Sequence, residues 1–258
     1  MGVRPITTVI PDGLETPHPP AAFGLGKETS LFNEAVPFHE TVSFLSFGVT
    51  GMNLQPLLEL SSRDHSHLCP RQILGVRIGL AGMQALGFDQ PPIKKQLFVI
   101  SETDGCFVDG VIAATGCTVG HRTLRVEDYG KVAATFVNAK TGQAVRVLPR
   151  LDVRQLACSF VPEEARHYFA QIQAYQSMPD DMVVTIQEVT LNVPIEKIIS
   201  RPGVRVDCDV CGEEIMNERE IHRDGLTLCH TCAGNGYYKF KLSVTPAYVT
   251  ETDFIGAH

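Results

Sequence analysis

Two groups of residues in this 258-residue chain have the types and spacing of chemistry. The first is Cys208-x2-Cys211-x17-Cys229-x2-Cys232. Each Cys-x2-Cys turn sets two thiolates where they can share one ion, and two such turns complete a tetrahedron. A closed set of four thiolates leaves no open position, so the expected ion is a structural zinc. Between the turns, Ile221-His222-Arg223-Asp224-Gly225-Leu226-Thr227-Leu228 alternates around an Asp-Gly pair, which signals a tight hairpin. Residues 201–241 hold six Lys or Arg against seven Asp or Glu. The segment therefore has no basic face for nucleic acid, and protein contact is the expectation.

The second group is Asp64-His65-Ser66-His67-Leu68-Cys69-Pro70. In an extended lead-in, alternate residues face the same way, so His65, His67 and Cys69 form one row. Cys69 also stands where a helix should begin, and the unpaired N–H groups there favour a thiolate. This row suits a second metal site. It equally suits a nucleophile pair with Cys69 attacking and His67 or Asp109 as base. Cys106 and Cys117 are the further ligands to weigh. Eleven residues of unbroken helix separate them by about 16 Å, so one ion cannot take both. Chain direction favours Cys106, and a break at Gly116 or a second subunit would bring in Cys117. Arg71, next to the thiolate, could hold an anion. Glu102, Asp104 and Asp109 cluster around Cys106, where one could serve as a base or orient an imidazole, with helix capping as the other role for Asp104. Cys158 has no ligand neighbours and is expected to be a core thiol.

Elements must position these residues. Cys69 to Gly87 is the clearest helix, with Pro70 at its start and Gly87 as its stop. It is apolar nearly all round, so it should be buried on most sides. Gly75, Gly79 and Gly82 share one side, which predicts close approach of a second helix or a sheet. Gln96 to Ser101 is a buried strand, and Gly105 to Gly116 a second helix capped by Thr103 or Asp104. Strand-like runs follow at 123–127, 131–139 and 144–148, the last two joined by a turn through Asn138 to Gly142. Pro162 to Met178 is predicted as one helix and Val183 to Val193 as a strand. Val36 to Val49 suits a strand or a short helix. The expectation is an α+β fold, a mixed or antiparallel sheet packed with helices, plus a small C-terminal zinc-ribbon domain. The predicted division is an irregular arm over 1–60, a core over 61–200, and a finger and tail over 201–258.

A formal charge of −7 argues against a nucleic-acid binder or an anionic membrane surface as partner. The most apolar run, Ile73 to Phe88, is too short to span a membrane and carries Arg77. No signal-peptide pattern opens the chain, and the expected location is the cytoplasm, where eight cysteines read as ligands or thiols before disulfides.

HSHLCP opening a Gly-rich helix, then ETDGCFVDGVIAATGCTVG, then DYGKVAATF with TGQAVRV, resembles the FmdE family of formylmethanofuran dehydrogenase-associated proteins over residues 62–150. The resemblance implies an α+β core, often dimeric, with a metal or thiol site at the His-x-Cys-Pro motif. It carries over to His67, Cys69, Cys106, Asp109 and Cys117. Two departures stand out: Arg71 where members commonly have Gly, and His121-Arg122 where they often have Lys-Gly. The expected function is a metal-binding accessory protein that assists a molybdenum or tungsten oxidoreductase by metal, sulfur or cofactor handling, or by docking. It would bind structural zinc and a second transition metal (Zn, Ni or Fe) at His65, His67, Cys69 and Cys106 or Cys117, and form a homodimer. The alternative is a stand-alone metal- or thiol-dependent enzyme using Cys69 and His67.

Overall fold

The computed structural model describes residues 54–199 and 201–238, all within one unit of the chain. The element expected over Val36 to Val49, and the expected arm up to residue 53, lie outside the described residues.

The centre of the fold is α2 (Pro70–Ala85), which follows a short α1 (Leu54–Ser62). As its sequence predicts, α2 is buried on almost every side. Its glycines explain how. A Cβ placed on Gly75 would lie 2.2 Å from the Phe107 carbonyl oxygen, and one on Gly110 would lie 2.2 Å from the Gln72 carbonyl oxygen. These are backbone atoms of α2 and of α3 (Cys106–Thr115), so the two helices cross with no side chain between them. Further along, Gly82 seats the ring of Phe136. One glycine stripe therefore meets both a helix and a sheet.

That sheet has five strands in the order β2-β1-β3-β4-β5: β1 (Leu97–Ser101), β2 (Leu124–Val126), β3 (Ala134–Asn138), β4 (Ala144–Pro149) and β5 (Val184–Val189). β1 and β2 run parallel, joined through α3, and the other pairs are antiparallel. The β3–β4 turn closes with Gly142 at φ 75° donating to the Asn138 carbonyl at 2.8 Å. On the inner face Leu97, Val99, Phe136, Val145 and Val147 join α2 and α3 in the main core. On the outer face Phe98, Val137 and Ala144 pair across the strands. They are covered by Ile195 of α7 (Ile195–Ile199).

The helix expected over Pro162 to Met178 starts later, as α5 (His167–Ser177), and a separate α4 (Val153–Phe160), not expected from the sequence, precedes it. Glu164 accounts for the late start: its carboxylate accepts from both the backbone and the guanidinium of Arg166, an alternative to helical hydrogen bonds. A short α6 (Asp180–Val183) leads into β5. Cys158, expected in the core, is half-buried on α4.

Inside this apolar packing sits Arg77, 5% exposed. Its guanidinium pairs with Asp180 and donates to the carbonyls of Tyr175 and Met178 at 2.8 Å each. Every direction of the fork is satisfied, which is the condition for burying a charge.

The finger is two small hairpins, β6 (Arg205–Asp207) with β7 (Glu214–Met216) and β8 (Ile221–Arg223) with β9 (Leu226–Leu228). The predicted Asp-Gly turn is present, with Asp224 at φ 52° and Gly225 at φ 79°, the doubly left-handed form that tight hairpins require. Helices and a mixed sheet make the fold α+β, with a small cysteine-bearing unit at its C-terminal end.

Candidate functional site

The finger cysteines come from two knuckles. Cys208 and Cys211 flank the turn between β6 and β7, where the Gly212 N–H reaches the Cys208 carbonyl at 2.9 Å. Cys229 follows β9, and Cys232 lies in a wide helical turn, Thr231–Asn235. Asp209 ties the knuckles together: its carboxylate accepts from the Thr227 N–H at 2.6 Å. All four sulfurs lie within 4.8 Å of one another. A zinc–sulfur bond of about 2.3 Å in a tetrahedron requires sulfurs about 3.8 Å apart. Cys211 and Cys229 are 3.9 Å apart. Backbone N–H groups already donate to two sulfurs, from Cys229 to Cys208 at 3.3 Å and from Cys232 to Cys229 at 3.4 Å. Burial raises the Cys208 thiol, but the N–H groups of Cys211, Cys229 and Val210 outweigh it and bring it to about 6. Burial and the neighbouring sulfurs push Cys232 upward. One sulfur thus ionises readily, while the last needs a cation to do so. This donor set fits a metal ion such as zinc. His222, largely exposed, lies 3.9 Å from Glu220 and outside the cluster.

The second group gathers where α2 and α3 begin. Cys69 caps α2 in extended geometry. Its backbone N–H donates to Gln72 Oε1 at 2.7 Å, and Gln72 Nε2 donates to the Ser61 carbonyl at 2.9 Å. Gln72 is fully buried, so it fixes Cys69 against the end of α1. Cys106 is the first residue of α3, behind Gly105 at φ 69°, ψ −154°, a conformation open essentially only to glycine. Since Gly75 and Gly110 bring the helices together, their two N-termini meet, and both thiols are half-buried there. Burial and then the adjacent Cys69 side chain push the Cys106 thiol up, while Arg71 pulls it down.

Around this pair the remaining residues take separate places. Asp109, one turn into α3, lies 2.8 Å from His65 Nε2. It therefore orients His65 rather than His67, whose Nδ1 lies 2.9 Å from the Ser66 hydroxyl. Glu102 is held bidentate by Arg146, which takes it out of reach as a base. Asp104 is exposed, and neither it nor Thr103 caps α3. Cys117 lies beyond the far end of α3, 4% exposed, with its sulfur on the Leu97 carbonyl at 3.6 Å. Gly116 at φ 66° stops the helix without turning Cys117 back toward Cys106. Among the described residues, only the finger cysteines bring three or more ligand atoms within 4.8 Å of one another. The described second group is a pair of thiols with flanking imidazoles.

Sequence reasoning missed Tyr168. Burial raises its hydroxyl, then the Cys69 and Cys106 sulfurs raise it further and Arg71 opposes them, so the phenol stands in the field of the pair. Its ring packs edge-on against Phe169 at 5.4 Å. A continuous helix from Pro162 hides it at a mid-helix position, whereas the true start at His167 puts it in the first turn of α5.

Comparisons with known proteins agree with this frame. The chain is 30% identical over 206 residues to a "Probable S-adenosyl-L-methionine-binding protein" of Archaeoglobus fulgidus, covering 71% of this chain and 54% of that protein. The chain thus spans about half the length of that relative. The fold is similar to a solved FmdE-like protein of the tungsten formylmethanofuran dehydrogenase type from Syntrophus aciditrophicus. The TM-score is 0.50 at 20% identity, over 73% of this chain and 96% of that one. Among the described residues no helix is long and apolar enough to cross a membrane. The model of the family described as "FmdE, Molybdenum formylmethanofuran dehydrogenase operon" matches residues 65–193, half of the chain, and with the thiol pair inside that span the protein belongs to the FmdE family.

Proposed function

We propose that this protein is an accessory to a molybdenum or tungsten oxidoreductase of the formylmethanofuran dehydrogenase type. It would handle a soft metal ion or sulfur at Cys69 and Cys106 and dock through a zinc-bound finger. The observation that carries this reading is the meeting of two half-buried thiols at two helix N-termini. The Cys106 thiol, pushed up by burial and by Cys69, gives up its proton when a cation arrives, and paired thiolates select soft ions. A resident ion wants three or four ligands already in place, whereas transient handling needs two accessible thiols and ligands that can swing in. His65, steadied by Asp109, and His67 are those ligands, and Arg71 supplies the positive charge that an anionic sulfur species would meet. Zinc in the finger supplies structure.

The test is a titration of the zinc-loaded chain with Co(II), followed by thiolate-to-metal absorbance. One further equivalent should bind beyond the finger's zinc and vanish in Cys69→Ser and Cys106→Ser with the finger's zinc retained. Equal uptake in both variants would refute the reading.

A second reading follows from the Archaeoglobus relative, named for S-adenosyl-L-methionine. Arg71 could meet the carboxylate of that molecule and the exposed face of Tyr168 its sulfonium or base. Equilibrium dialysis with labelled S-adenosyl-L-methionine, repeated on Tyr168→Ala, decides it. A stand-alone enzyme using Cys69 and His67 has less support, since the described polar partner of His67 is Ser66. We also place the protein in the cytoplasm, where the thiols stay reduced, as a homodimer. Its division is an arm over 1–60, a core over 61–200 and a finger with its tail over 201–258.

A further inference from the structure

On the outer face of the sheet, away from the thiol pair, a cleft of about 410 Å³ opens between edge strand β2, helix α7 and the finger. Its walls carry three arginines, Arg122, Arg125 and Arg219, over an apolar floor of Phe98, Ile198 and Ile199. Backbone carbonyls anchor two of the three. Arg125 donates to the Ile198 carbonyl at 2.8 Å, and Arg122 donates to the Ile199 carbonyl and to Asn217 Oδ1 at 3.4 Å. Arg219 makes no ion pair among the described residues. The nearby acid Glu218 is engaged by Arg201, which leaves Glu127 as the negative charge acting on Arg125. Burial, then the charge of Arg219, lower Arg125 below the usual arginine range, and Arg122 adds to that. Like charges are therefore held together at a cost. The backbone is costly here as well: Arg122 at φ 58°, Asn217 at φ 64° and Glu218 at φ 58° are all left-handed without being glycine. Such conformations persist where the surroundings impose them, and they concentrate at binding sites.

We infer that this cleft binds a phosphorylated small organic molecule, its phosphate on the arginine trio and its apolar body on Phe98, Ile198 and Ile199. Guanidinium forks match phosphate oxygens two at a time, and a dianion offsets the mutual repulsion of the three. The volume lies in the range of small-molecule pockets and far exceeds a bare inorganic ion. The apolar floor gives the organic part of the ligand its place. This site is independent of the thiol pair, which lies at the other face of the sheet.

Calorimetry on the zinc-loaded full chain tests it, with phenyl phosphate and inorganic phosphate as probes. Phenyl phosphate should bind saturably with one site per chain, about tenfold tighter than inorganic phosphate because of the floor. Arg219→Gln should weaken it by about tenfold or more, the worth of a charged hydrogen bond. Arg219 anchors no carbonyl, so this variant should keep its zinc; Arg125→Gln is the second probe, and whichever retains zinc is decisive. No saturation by about 10 mM, equal affinity in the zinc-retaining variant, or no preference for the phenyl ester would overturn the assignment.

Discussion

Gly75→Ala tests whether the helix crossing builds the thiol site. The new methyl would lie 2.2 Å from the Phe107 carbonyl oxygen, 3.0 Å from Gly110 Cα and 3.1 Å from the Val111 nitrogen. Real Cβ atoms essentially never come within 3.0 Å of a neighbour, so the backbones must part by at least 0.8 Å along the first contact. All three atoms are backbone, and no side chain can rotate away. Replacing glycine by alanine inside a helix would by itself gain about 1 kcal/mol. Overpacking a tight core costs about 1–3 kcal/mol, and a backbone-to-backbone clash belongs at the top of that range. The net loss is about 2 kcal/mol. Urea unfolding of the core measures it, with Gly120→Ala as control because nothing lies within 4 Å there. The functional readout is phenylarsine oxide, which bridges two thiols only when they are neighbours. Parting α2 from α3 should slow its capture by Cys69 and Cys106. A variant as stable as the parent, with unchanged arsenical capture, would refute the claim that the glycine stripe sets the thiol pair.

Three more outcomes follow from the packing. Arg77→Ala takes the guanidinium away from Asp180 and two buried carbonyls and should cost about 3–5 kcal/mol in urea unfolding; a loss under about 1 kcal/mol would mean that water replaces the guanidinium. Adding a chelator that would strip a metal ion from the finger, or Cys211→Ala, should expose residues 205–232 to protease while the far-UV signal of the core helices survives; a finger that resists protease without metal would contradict the structural role. Burial pushes the Tyr175 hydroxyl up to about 12 from 10. Its folded pKa exceeds its unfolded one, so its contribution is full below pH 10 and is lost as pH rises through 12. Stability should fall across that window and fall less in Tyr175→Phe.

Much of this was legible because local chemistry decided it. Cys-x2-Cys pairs and an Asp-Gly turn fold the same way in most surroundings, and Pro70, Gly87 and three glycines on one side announced a buried helix. The ligand question was harder. Helical rise alone separated Cys106 from Cys117, and chain direction pointed to Cys106, which the fold brings beside Cys69. What stayed open in the sequence depended on contacts distant along the chain. Asp109 lies by His65, 44 positions away, and Glu102 is claimed by Arg146, also 44 positions away. Tyr168 stayed hidden behind one misplaced helix start, where a Glu164–Arg166 interaction overrode the pull of Pro162. The arginine cleft needs β2, α7 and the finger together, and no window of sequence contains all three.

Arg77 has a consequence for aiming. Apolar side chains alone would leave α2 free to roll about its own axis, because burial rewards every angle nearly equally; the glycine stripe restricts that roll, and Arg77 restricts it from another side. Each residue advances the roll by about 100°, so a slip of one position would swing the start of α2 to another quarter of the molecule. The polar fork that Arg77 makes with Asp180, Tyr175 and Met178 is satisfied at one angle only. Cys69 lies eight residues away, at the end of the same rigid rod. The charge buried mid-helix thus works as an index pin alongside the glycine stripe and the Gln72 anchor, and part of what aims the thiol lies two turns away from it.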